Sequence, residues 1–235
     1  MARDESLSGI GIRPVTAEAR IGAFLRGVYG WMAAGLAITA LVAYFVASSN
    51  WIGLLATHRW LLFALFIAQI GVVITLSAGA SRIAPGTATA LFLGYSALTG
   101  VTLSLILLVY TRESIASTFV ITAGMFGAMA LYGTTTPRSL AGWGSFLFMG
   151  LIGVILASVL AMFWRNAALD FLISVAGVIV FTGLTAWDAQ RLRQMATALP
   201  TEKVGSYAIL GALSLYLNFI NLFLFMLRFM GGRRN

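Results

Sequence analysis

The sequence predicts an all-α integral membrane protein with seven transmembrane helices. Three observations carry this. Hydrophobic residues make up 60% of the 235-residue chain and charged residues 9%, against soluble norms of roughly 45–50% and 25%. The charges that exist lie in short clusters between long apolar runs. Seven of those runs are long enough to cross a hydrocarbon core about 30 Å thick, which takes ~20 helical residues.

The runs cover approximately residues 27–47, 60–80, 87–109, 115–133, 143–163, 171–188 and 207–229. Backbone groups in lipid must pair within their own segment, so each run is a helix. The first is about twice as long as a signal-peptide core and follows a tail of mixed charge with Asp4, Glu5 and Glu18, so it reads as a retained anchor. The punctuation between runs is polar or helix-breaking: Ser48-Ser49-Asn50, then Ser81-Arg82-Ile83-Ala84-Pro85-Gly86, Thr111-Arg112-Glu113-Ser114, Thr134 to Arg138, and Arg165-Asn166. The longest connector is 189–206, with Arg191, Arg193, Pro200, Glu202 and Lys203. This divides the chain into a polar tail (1–20), a seven-span domain (21–230) and a basic C-terminal tail (231–235).

Cationic residues orient the bundle. With the N-terminus inside, the inner segments carry Arg3, Arg13, Arg20, Arg26, Arg82, Arg138, Arg191, Arg193 and Lys203, and the outer loops only Arg59, Arg112 and Arg165. The N-terminus is therefore expected in the cytoplasm, in a bacterial inner membrane. Arg228, Arg233 and Arg234 oppose the rule, because seven crossings leave them outside. Either they are tolerated there, or the last segment dips in and returns. The formal charge of +8 forms no basic face, so it points to lipid headgroups and topology rather than nucleic acid. Small-residue spacings at Ala123–Gly127 and Gly150–Gly153 suit close helix packing within a monomeric bundle.

An enzyme is not expected. There is no cysteine, so thiolate nucleophiles, thiolate metal sites and disulfides are excluded. Ser145 would need a base within reach, yet His58 falls on the opposite membrane face and Lys203 in a connector. The lack of a lysine in the last span excludes a retinal Schiff base. No cofactor is implied.

The carboxylates are more informative. Asp170 opens the sixth span, where it can cap the helix. Asp188 closes that span, where the helix dipole opposes an acid, so it needs a partner or a use. It either pairs with Arg191 or reaches headgroup water, or it serves as an intramembrane functional site. In the seventh span Ser214, Asn218 and Asn221 fall on one helical face. That face must turn inward, as interhelical glue or as the lining of a hydrated path.

The stretch Phe181-Thr-Gly-Leu-Thr-Ala-Trp-Asp188-Ala-Gln190-Arg191, with Gly211-Ala-Leu-Ser-Leu-Tyr-Leu-Asn218-Phe-Ile-Asn221-Leu-Phe-Leu-Phe-Met-Leu-Arg228, resembles the bacterial branch of the Bax inhibitor-1 family. The resemblance implies six helices around a central seventh and a pH-sensitive passive calcium leak. In that family an aspartate ending the sixth span pairs with one in the seventh, and an arginine of the second span engages them. Asp188 matches the first aspartate, Arg82 is the counterpart of the arginine, and Asp188 is the weak Ca²⁺ candidate.

Asn218 stands where the second aspartate is expected. Two touching carboxylates share a proton. An amide removes that coupling and one anionic ligand for Ca²⁺, a hard ion that takes ~6–8 oxygens. The expected consequence is a cation path whose pH response is weaker, or displaced to lower pH. Ser214 and Asn221 are the further pore-lining candidates. The alternative is a regulator that binds a membrane protease through the 189–206 connector and the polar tail, without transport.

Overall fold

The computed structural model describes residues 16–79, 83–164, 166–232 and 234. The expected counterpart arginine, Arg82, and most of the N-terminal tail lie outside the described residues. Seven helices are long and apolar enough to cross a membrane. They are α1 (Ala17–Ala47), α2 (Arg59–Ala78), α3 (Pro85–Leu103), α4 (Arg112–Thr135), α5 (Ala141–Phe163), α6 (Ala167–Ala198) and α7 (Val204–Met230). Short helices Trp51–Thr57 and Ile106–Val109 fill two of the connections. No strand occurs among the described residues.

The helix starts follow local chemistry. Thr16 accepts from the Ala19 amide, Thr111 from Ser114 and Asn166 from Ala168, each satisfying a donor that the first turn leaves free. Pro85 opens α3 behind an extended Ala84, where its missing N–H costs nothing. Asp170 was expected as a cap, but Asn166 caps α6. Asp170 sits in the first turn and forms an ion pair with Arg228 in the last turn of α7. Both charges complement the dipole of their own helix.

α7 is the central helix. Of its most apolar stretch, 67% is buried, against 33% at most for any other span. It packs on α1, α3, α4 and α6, while α2 leans on α3 and α5 on α6 as outer helices. Close approach occurs at Gly133, where a Cβ would overlap the Ala186 carbonyl, and at Gly144, where it would lie 2.6 Å from the Trp187 ring. The expected pair Ala123–Gly127 is instead exposed, with open space beside Gly127. A Cβ on Gly150 would lie 3.0 Å from the Val180 side chain, and one on Gly153 would meet nothing within 4 Å.

One alternative about the ends is resolved and one expectation is corrected. The last segment does not dip and return: α7 is one 27-residue helix, about 40 Å long. Its C-terminal residues bind the far face, with Gly232 donating to Ser114 Oγ at 2.8 Å and Arg234 N to the Val109 carbonyl at 2.9 Å. Nor is 189–206 a long connector. α6 runs on to Ala198, leaving Leu199, Pro200 and a 3-10 turn at Thr201–Lys203. The start of α1 lies beside that turn, since Arg20 donates to the Leu199 carbonyl at 3.0 Å.

Candidate functional site

Asp188 is not at a helix end. About three further turns of α6 follow it, so the helix dipole does not oppose it there. What holds it is α7. Ser214 Oγ and Asn218 Nδ2 both donate to Asp188 Oδ2, each at 2.7 Å. Asp188 and Asn218 are each 6% exposed. A buried charge costs several kcal/mol unless it is hydrogen-bonded, and these two donors offset part of that cost. The amide must present its NH₂ to the carboxylate, because an ionised carboxylate only accepts.

The inward face of α7 is thus divided in use. Ser214 and Asn218 reach Asp188, whereas Asn221 donates to the Leu217 carbonyl of its own helix at 2.8 Å. Arg191 forms no pair with Asp188. Its guanidinium lies 5.3 Å from the centre of the Trp187 ring, and the ion pair found among the described residues is Asp170–Arg228.

Two cavities meet at this cluster. A cleft of about 770 Å³ opens between α2 and α5, with Phe66 and Phe148 on its sides and Asp188, Ser214, Asn218 and Asn221 along its floor. A smaller cavity of about 260 Å³ lies toward the end of the bundle where α1 begins, lined by Ser77, Tyr207 and Met195. Asp188, Arg191 and Ser214 belong to both. Along the cleft, away from Asp188, Phe181 stacks on Phe225 at 5.8 Å.

As a metal site the cluster is sparse. It offers one carboxylate, one amide oxygen and one hydroxyl. Among the described residues no three His, Cys, Asp or Glu side chains stand together. Such a donor set suits a passing cation better than a retained one.

Sequence reasoning missed two polar contacts. Gln190, 8% exposed, accepts from the Leu140 amide at 2.7 Å and donates to the Arg138 carbonyl at 2.8 Å, tying the α4–α5 loop to α6. On the other side of α7, the fully buried Tyr216 hydroxyl lies 2.6 Å from Thr39 Oγ1, which donates to the Ser96 carbonyl. Tyr216 is a polar-tipped residue on the central helix, and the rule that a buried hydroxyl needs a partner was the available signal.

Comparison with known proteins adds a second kind of finding. A family model described as inhibitor of apoptosis-promoting Bax1 matches residues 21–235. The inner membrane protein YbhL of Escherichia coli K12 is 51% identical over 224 residues, covering 94% of this chain and 96% of that protein. An uncharacterized protein of Borreliella burgdorferi is 48% identical over 215 residues, with 90% and 93% covered. One from Caulobacter vibrioides is 38% identical over 232 residues, with 94% and 92% covered.

Proposed function

The chain belongs to the Bax inhibitor-1 family, and on that premise we propose that it is a pH-sensitive passive leak for calcium or another cation, centred on Asp188. One observation carries the reading: a buried carboxylate held by Ser214 and Asn218 at 2.7 Å, at the junction of two cavities. An acid in the interior of a helical membrane protein is costly to keep and marks ion or proton pathways. Toward the opposite face, the Phe181–Phe225 stack supplies an apolar closure of the kind that gates by excluding water.

The pH response passes through one carboxyl group. Protonation removes the charge that attracts the cation, so the leak falls on acidification. With Asn218 as its neighbour, Asp188 has no second acid with which to share a proton, so the pH response is weaker, or displaced to lower pH, than at a site with two carboxylates. We place the N-terminus and the Asp188 end in the cytoplasm, as the excess of arginine and lysine on that side supports. The membrane is a bacterial inner membrane, in keeping with the name of the Escherichia coli relative.

The test is calcium-dye flux into vesicles that hold the purified protein, over about pH 5 to 8. The native chain should leak, and Asp188→Asn should cut the leak about tenfold or more, equivalent to ~1.4 kcal/mol. A native chain indistinguishable from empty vesicles would remove the reading. The protease-regulator alternative would then gain weight, although the fold leaves it less free connector than the sequence promised.

A further inference from the structure

The cleft between α2 and α5 has a shape that the cation reading does not explain. Its far walls belong to side chains that face the bilayer: Phe66, Phe148 and Met162 are 56%, 59% and 77% exposed. It therefore opens sideways, into lipid. From Arg191 to Phe181 it follows α6 for about 15 Å, and from Ser214 to Phe225 it follows α7 for about 17 Å, at 1.5 Å per residue, while along α5 it runs on to Met162 near the opposite end of the bundle. One leaflet of a hydrocarbon core is about 15 Å deep. The part of the cleft between Arg191 and Phe181 runs about that depth from one end of the bundle. The volume of the whole cleft, about 770 Å³, lies in the range of cavities that hold small organic ligands.

The end of the cleft is chemically distinct from its walls. Arg191 is exposed there, anchored on the Trp187 ring at 5.3 Å, and pairs with no carboxylate among the described residues. Arginine and tryptophan together are the residues of a membrane–water boundary. A free guanidinium at that level matches phosphate, which it binds through two parallel hydrogen bonds.

We propose that this cleft seats one acyl chain of a phospholipid from the leaflet on the α1 N-terminal side, with the lipid phosphate on Arg191 and the chain lying over Asp188, Ser214 and Asn218. The groove assignment rests on the shape and on Arg191. Only its consequence rests on the cation reading: the seated chain covers the carboxylate from the bilayer side and blocks the path beyond it. Lipid departure then opens the way from Asp188 along the cleft.

The absence of cysteine makes a single-thiol reporter straightforward. Leu151, half-buried in α5, lines the cleft, whereas Met149 lies outside it and is 68% exposed. Leu151→Cys and Met149→Cys are labelled with a fluorophore in vesicles of phospholipid carrying a nitroxide on its chain, then extracted into lipid-free detergent. Quenching should persist at position 151 and vanish at 149. Arg191→Gln added to Leu151→Cys should lower the retained quenching severalfold, and Arg191→Lys should restore part of it. In vesicles, Arg191→Gln should raise calcium leak severalfold.

Equal loss of quenching at both positions overturns the groove. Retention unaffected by Arg191→Gln overturns the phosphate contact, and reduced retention without increased leak overturns the covering role. Retained, Arg191-dependent quenching in a protein that never leaks upholds the groove and removes the cation reading instead.

Discussion

Replacing Asn218 with aspartate is the most informative single change. The Asn218 Nδ2 to Asp188 Oδ2 distance is 2.7 Å, and the substitution puts a carboxylate oxygen where the donor stood. Two unit charges at that separation repel by about 6 kcal/mol at an effective dielectric constant near 20. The lost hydrogen bond to a charged group is worth ~1.5–3 kcal/mol more. Together these exceed what a folded bundle tolerates easily, given total stabilities of about 5–15 kcal/mol. The two carboxyl groups therefore do not both stay charged, and the pair shares a proton. The native site has no such pair. In dye-loaded vesicles Asn218→Asp should show a steep change of calcium leak with pH over about pH 5 to 8, and the native chain a shallower one. Identical, steep profiles in both proteins would refute the reasoning, since the amide would then make no difference to the proton.

Three further predictions concern what holds the site in place. Gly133→Leu should lower the thermal midpoint in detergent by the equivalent of about 1–3 kcal/mol or more, because its side chain meets the Ala186 backbone. Gly127→Leu, with open space beside it, should leave the midpoint unchanged. Gln190→Ala strips two hydrogen bonds from the α4–α5 loop and should cost about 1–3 kcal/mol, with faster amide exchange at Leu140 as the local readout. Tyr216→Phe removes one buried hydroxyl contact while Thr39 keeps its bond to the Ser96 carbonyl, so its cost should stay near ~1 kcal/mol; a larger loss in the same melting assay would mean the hydroxyl carries more than this pair.

The seven spans were legible because lipid demands long apolar helices, and composition reports that demand directly. The central position of α7 came from the family resemblance, and its inward face from Ser214, Asn218 and Asn221. The end of α6 was misplaced for a physical reason. Apolar length measures bilayer thickness, and it stops registering once a helix enters the headgroup region. The residues after Asp188 are good helix formers, and the buried Ala189, Leu192 and Ala196 continue a helical stripe that periodicity could have followed. The contact of Asp188 with α7 needed the bundle itself, because residues 26 and 30 positions apart meet only through packing. The same holds for glycine. Spacing favoured Gly127, yet Gly133 and Gly144 carry the close approaches, since no local pattern says which face meets a neighbour.

The claim beneath the functional account is that water and cations reach Asp188 from the end of the bundle where α1 begins. Ser214 lines the smaller cavity on that side and touches the carboxylate, so Ser214→Cys in this cysteine-free chain places a unique thiol at the spot. Its reaction rates with cationic and anionic thiosulfonates of equal size, applied from that side, are the decisive measurement. A preference for the cation of about tenfold, or ~1.4 kcal/mol, that disappears with Asp188→Asn is expected. No reaction with either reagent, or equal rates that ignore the charge at position 188, would contradict it.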